Sequence, residues 1–201
     1  MDLAYHRPLP ADSELVQAIA VLRAEHLRRP PLVEQAYGHK TLALARILEA
    51  ACANADQLQA ATEASFDQHP GAAAVSSFPG LAALSGARIL AEIGDDLTWF
   101  ADAKALRSYA GSAPVTRAGG KSTTVLAPRV KNRRLAAVGY TWAFVALSNS
   151  PGARGHYDRR RDHGERHNAA RHNLFNRFLG MFHHCLQTGQ PYDEHHAFPD
   201  Q

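Results

Sequence analysis

Acidic residues are missing from the whole interval between Asp102 and Asp158. The same interval holds nine Lys and Arg, so it contributes +9 to a formal net charge of +3 and the rest of the chain sums to −6. One sign of charge over so long a window argues against an evenly salted surface and implies an anion site. Polyphosphate backbones are the anion that suits it best. Cysteine is scarce: Cys52 and Cys185 are the two, and neither sits in a C-x-x-C pair. That excludes a readable zinc knuckle or disulfide framework and fits a reducing, cytoplasmic setting. No apolar run approaches the roughly 18 residues a membrane span needs. The opening M-D-L-A-Y-H-R-P lacks the layout of a signal peptide. No membrane partner is therefore expected.

What is present reads as mainly α. At 201 residues the chain is long enough for one core with an appended helical arm. Residues 1–30 read as a lead-in, with a helix from about Ser13 to Leu27 carried by Leu15, Ile19 and Leu22. Arg29-Pro30-Pro31 interrupts it. The arm covers 31–70, with a long Ala-rich helix from about Lys40 to Gln68. Its Leu44, Leu48, Ala51, Ala55, Leu58, Thr62 and Ser65 alternate four and three apart, a weak heptad seam. A core helix or antiparallel hairpin and a dimerising coiled coil both fit that seam. The compact domain covers 71–190. It opens on Phe78-Pro79-Gly80, a turn before a small-residue helix, which resembles a helix-hairpin-helix element. There Gly80 would bring backbone N–H groups to a phosphate; an ordinary helix start fits equally well. Further helices are expected over Phe100–Ala110 (Leu106 and Tyr109 inward), Asn132–Leu147, Ala153–Arg161 and Asn168–Leu186. Asn149-Ser150-Pro151-Gly152 is a clear stop. Between Gly111 and Pro128 lies a basic, glycine-rich loop in which Thr123–Leu126 is the best strand candidate. The tail, 191–201, is expected to be loose.

The chemistry concentrates in Tyr109–Leu135. Arg117, Lys121, Arg129, Lys131, Arg133 and Arg134 are interleaved with Thr116, Ser122, Thr123 and Thr124, the mixture that phosphate contacts use. A solvated basic face is the plain alternative, but the acids that normally intersperse one are absent. Gly120-Lys121-Ser122 is not a P-loop, because Val115 stands where that motif needs glycine. A second cluster, Arg154–His172, is partly neutralised by Asp158, Asp162 and Glu165. His163 and His167 are four apart, but Gly164 between them argues against a shared helical face, and no metal site is expected. Glu92, Asp95, Asp96 and Asp102 read as cap and turn residues.

Several blocks, in order, carry a resemblance. F-P-G-L-A-A-L-S-G-A-R-I-L-A-E-I-G-D-D, Y-A-G-S-A-P-V-T-R-A-G-G-K-S, K-N-R-R-L, S-P-G-A-R-G-H-Y-D and the closing P-Y-D-E resemble the C-terminal part of the IS-110 family of insertion-sequence transposases, over roughly Leu32–Phe198. The resemblance implies a DNA-transposition protein. Members join an N-terminal RuvC-like domain with a DEDD set of acids, and its divalent metal, to a coiled coil and a C-terminal domain. That last domain supplies a serine nucleophile, and a structured RNA guides DNA choice. Two departures follow. The acid-bearing domain is expected to be absent, with the lead-in as its remnant, so no cofactor is expected in this chain. The family loop reads A-P-V-T-R-x-S-G-K, and its serine position is Gly119. The expectation is a DNA-binding fragment, inactive alone, whose partners are DNA, a structured guide RNA, and a second copy or a full-length transposase. The rivals are a residual serine recombinase using Ser122 or Ser112, and a self-associating interaction module.

Overall fold

The structure, a computed structural model, describes residues 16–17, 19–21, 29–120, 122–126 and 128–199, with the backbone alone at 115, 117 and 123–126. It divides into two compact units, Met1–Gln59 and Ala60–Gln201. In the first, 16–17 and 19–21 are helical; the rest of the expected Ser13–Leu27 helix lies outside the described residues. Helix α1, Pro31–Asp67, begins nine residues earlier than the apolar spacing suggests. Pro31 sits in its first turn, where the missing N–H costs nothing, and Glu34 accepts a hydrogen bond from the Arg29 amide at 2.9 Å. Leu44, Ile47 and Leu48 are exposed along it.

The second unit is a helical bundle with one hairpin. After the end of α1 come α2 (Ala72–Ser76), α3 (Ala83–Ile93), a 3₁₀ turn (Leu97–Trp99) and α4 (Ala103–Tyr109). Strands β1 (Val115–Gly119) and β2 (Ser122–Leu126) pair antiparallel, with Val115 opposite Leu126 and Gly119 opposite Ser122. Helices α5 (Arg133–Asn149), α6 (Pro151–Asp162), α7 (His167–Thr188) and the short α8 (Glu194–Ala197) complete it. The expected loop is therefore a hairpin, of which the sequence pattern had only the second strand.

The core is where α5 meets α7. On α5 the buried residues Leu135, Gly139, Trp142 and Ala146 recur every three or four positions. Leu174, Phe175, Phe178, Leu179 and Phe182 do the same on α7. Trp142 stacks on Phe178 with ring centroids 4.8 Å apart and planes 8° apart, and Phe78 meets Trp142 edge-on at 5.5 Å. Each such ring contributes roughly 1.5–3 kcal/mol through burial. The Trp142 indole N–H donates to the Pro79 carbonyl at 3.0 Å, which fixes the Pro-Gly turn onto α5.

Two expectations are corrected. Tyr109 is not inward: it is 41% exposed, because its hydroxyl donates to the Glu92 carbonyl at 3.2 Å at the domain surface. The tail is not loose up to residue 199. Phe198 is 2% exposed, Arg177 Nε donates to the Ala197 carbonyl at 2.6 Å, and the Tyr192 amide donates to Ser77 Oγ at 2.7 Å. Glu194 caps α6, accepting from the Gly152 amide at 2.6 Å and the Ser150 hydroxyl at 2.9 Å.

Candidate nucleic-acid interface

The entry to α5 is built around Asn132. Its Oδ1 accepts from the Arg134 and Leu135 amides at 3.0 and 2.9 Å, satisfying two of the helix's open donors. Its Nδ2 donates to Glu92 Oε2 at 2.7 Å and to the Tyr109 hydroxyl at 2.8 Å. Its own amide donates to the Tyr109 carbonyl at 2.8 Å. One side chain thus ties the start of α5 to α3 and α4, and this anchor holds the flanking cations in register.

Around that anchor Arg129 and Arg133 are exposed and Lys131 is half-buried. Lys131 lays its aliphatic stem over Gly111, where a side-chain carbon would collide with it; the positive φ of 70° at Gly111 also demands glycine. Arg134 pairs with Glu92 at 3.4 Å. So the acid-free stretch acquires one carboxylate through folding, from α3. Among the described residues Arg129, Lys131 and Arg133 have no carboxylate partner. In the second basic cluster, Arg154 pairs with Asp158 at 2.8 Å and Arg160 with Glu165 at 3.0 Å, so two of its six arginines meet a carboxylate locally.

The hairpin carries the remaining sequence candidates. Thr116, Gly119 and Ser122 are exposed. Arg117 lies on β1, described in its backbone alone, and Lys121 lies outside the described residues. Gly119 and Ser122 face each other across the hairpin, and the Ser122 hydroxyl points back to the Gly119 carbonyl at 3.4 Å. A Cβ at Gly119 would meet nothing within 4 Å. Ser112 is 1% exposed and donates to Asn176 Oδ1 at 2.9 Å, which removes it from contact with a large substrate. Gly80 has a packing role: with φ of 80°, a Cβ there would come 2.8 Å from the Ala146 amide nitrogen. The tight approach of its turn to α5 explains this glycine without a phosphate.

The histidines separate. His163 ends α6 with Nδ1 against the Arg159 carbonyl at 2.6 Å, and His167 opens α7 with Nδ1 against the Tyr157 hydroxyl at 2.6 Å. Among the described residues no three His, Cys, Asp or Glu come together to hold a metal ion.

Sequence reasoning missed a cavity of about 400 Å³ lined by Lys131, Arg133, Ala136, Ala137, Tyr140, His172 and Phe175. A signal was present: Arg133, Ala136, Ala137 and Tyr140 fall at helical spacing on one face of α5, with two small residues between a cation and a ring. His172 is held below its ordinary pKa by burial and then by Lys131.

Comparison with known proteins places the middle of the chain in a family. A family model described as "Transposase IS116/IS110/IS902 family" matches residues 72–158. Residues 72–158 are a transposase domain of this family. The chain is 53% identical over 187 residues to the protein described as "Mini-circle putative transposase for IS117" from Streptomyces coelicolor, covering 93% of this chain and 45% of the relative. It is 34% identical over 161 residues to an uncharacterized 42 kDa protein of insertion element IS900 from Mycobacterium paratuberculosis, covering 80% of this chain and 40% of the relative. The IS110 43.6 kDa protein of Streptomyces coelicolor is 34% identical over 137 residues. The chain spans less than half the length of the curated relatives it matches. The transposase domain ends its match at Asp158, so α7 and the capping tail lie beyond it.

Proposed function

We propose that this chain is a nucleic-acid-binding part of an insertion-sequence transposase, gripping DNA through the face around Arg129, Lys131 and Arg133. The observation that carries this reading is their placement. Three cations within five residues stand at the entry of one helix, none paired with a described carboxylate, beside an exposed hydroxyl-bearing hairpin. Phosphate contacts of this kind position a duplex without reading its sequence. Structured RNA presents the same charge and is the second ligand to test. Mobility shift at low salt with duplex DNA and with a folded RNA checks the reading: a shift with DNA supports it, and no shift with either rejects it.

On this reading the chain does not transfer strands by itself. A serine nucleophile attacks phosphorus, its proton leaves to a base, and the displaced sugar oxygen departs protonated; Gly119 has no hydroxyl with which to begin. One observation favours residual activity through Ser122 over Ser112: it is exposed and cross-strand from Gly119. Its hydroxyl still belongs to another residue, and a misplacement of about 1 Å costs roughly a hundredfold. With a full-length transposase supplying the acid-bearing domain in trans, cleavage is expected from Gly119→Ser and not from the natural chain. Cleavage by the natural chain that Ser122→Ala abolishes would make Ser122 the nucleophile.

A further inference from the structure

The cavity at the entry of α5 has a chemistry that phosphate binding alone does not need. Its rim is cationic, with Lys131 and Arg133, and its wall is aromatic, with Tyr140 from α5 and Phe175 from α7. Tyr140 is 42% exposed, yet it is fixed on two sides. Its hydroxyl donates to Asn168 Oδ1 at 2.7 Å. The Arg171 guanidinium lies 3.4 Å from its ring centroid. Arg171 is itself 7% exposed, 4.9 Å from the Phe144 ring and bonded to the Tyr140 carbonyl at 2.8 Å. A ring held this way is a ready stacking platform, because little side-chain freedom is left to lose on binding.

The space beside the ring exists because Ala136 and Ala137 are small and because Phe175 packs down onto Gly139. Its volume of about 400 Å³ falls in the range of pockets that bury one small ligand. His172, also on the cavity lining, adds a polar edge to an otherwise apolar wall. A flat π-face, a polar edge and two cations at the mouth match a nucleobase and its attached phosphate. A base inside a duplex stack cannot enter; it must first be unpaired and turned out.

We propose that this cavity captures one unpaired nucleotide of a bound DNA strand, the base against Tyr140 and the phosphate at Lys131 and Arg133. The proposal rests on the nucleic-acid reading above and deepens it: the face prefers DNA that offers an unpaired base.

The test compares the affinity of the whole chain for a fully paired duplex and for the same duplex with one bulged nucleotide. Base–aromatic stacking predicts roughly 5- to 100-fold tighter binding of the bulged form. Ala137→Leu fills the cavity from an exposed helical position that tolerates leucine, and should remove the preference while leaving paired-duplex affinity as it was. Tyr140→Leu should do the same, and Tyr140→Phe, which keeps the ring, should retain the preference. Equal affinity for the two duplexes overturns the proposal and leaves the nucleic-acid reading standing. A preference that survives Ala137→Leu also overturns it, and loss of binding to both duplexes overturns both. Adenosine monophosphate is the competitor. If it displaces the bulged duplex at micromolar concentration, the cavity serves free nucleotides and the strand proposal fails; if millimolar competitor is needed, the strand is the source.

Discussion

Asn132 is the residue on which the interface turns, and its two ends do different work. The oxygen caps α5; the nitrogen donates to Glu92 and Tyr109. Aspartate caps a helix as well as asparagine does, yet it would set a carboxylate against Glu92. Asn132→Asp is therefore expected to cost more stability than Asn132→Ala, which should itself cost about 1–2 kcal/mol; chemical denaturation of both variants checks the order. His156 is the second telling residue. Burial, followed by Arg177, Arg160 and Arg159, holds its pKa down to about 4, against the ordinary 6.5. The unfolded chain then binds more protons than the folded one between those values. The stability from this group is full above about 6.5 and is lost as pH falls toward 4, at no more than about 1.4 kcal/mol per pH unit. Denaturation midpoints across that window should decline in the natural chain and decline less in a His156→Gln variant. Exposed Cys52 and buried Cys185 offer a control, since burial raises the Cys185 thiol and slows its alkylation.

At the scale of elements the tail and the hairpin are instructive. Glu194 holds Ser150 and the start of α6 through two bonds to one carboxylate oxygen, so Glu194→Ala is expected to destabilise by about 1–3 kcal/mol. A melting temperature unchanged by that substitution would contradict the capping role. Long periodic helices were legible in the sequence: Leu135 and Trp142 alone place the buried face of α5. The tail was not, because its acidic and histidine-rich composition reads as solvent-facing. Only three-dimensional proximity shows Phe198 and Tyr192 closing over Phe178 at 6.3 Å each. The first strand was hidden for a related reason: Val115 and Thr116 favour a strand but Ala118 and Gly119 do not, and pairing with β2 rather than propensity makes those two extended. Of the candidate site, the cations were legible as a run, but their division into Arg134, tied to Glu92, and the rest was not. That division depends on a residue 42 positions away.

Across the whole molecule, exposed apolar side chains occur in both units, with Trp99 and Val130 among them in the second. The basic interface lies in the unit from Ala60 onward; α1, in its portion within the first unit, exposes Leu44 at 55% and Leu48 at 65%. No described helix is long and apolar enough to cross a membrane. Apolar residues at four-and-three spacing seek a helical partner, so the sedimenting mass of the chain is expected to rise with concentration, and that of Leu44→Lys/Leu48→Lys to stay monomeric. A natural chain that stays monomeric throughout would remove self-association from the account. The central claim is the phosphate-binding face. The most direct measurement is the affinity for duplex DNA across a salt series, for the natural chain and for Arg129→Ala/Arg133→Ala, which spares the Arg134–Glu92 pair. The account predicts that log affinity falls linearly with log salt, and that the variant's slope is shallower by about 2, one for each phosphate that no longer meets a guanidinium. Parallel lines for the two proteins, or no binding at low salt, would contradict it.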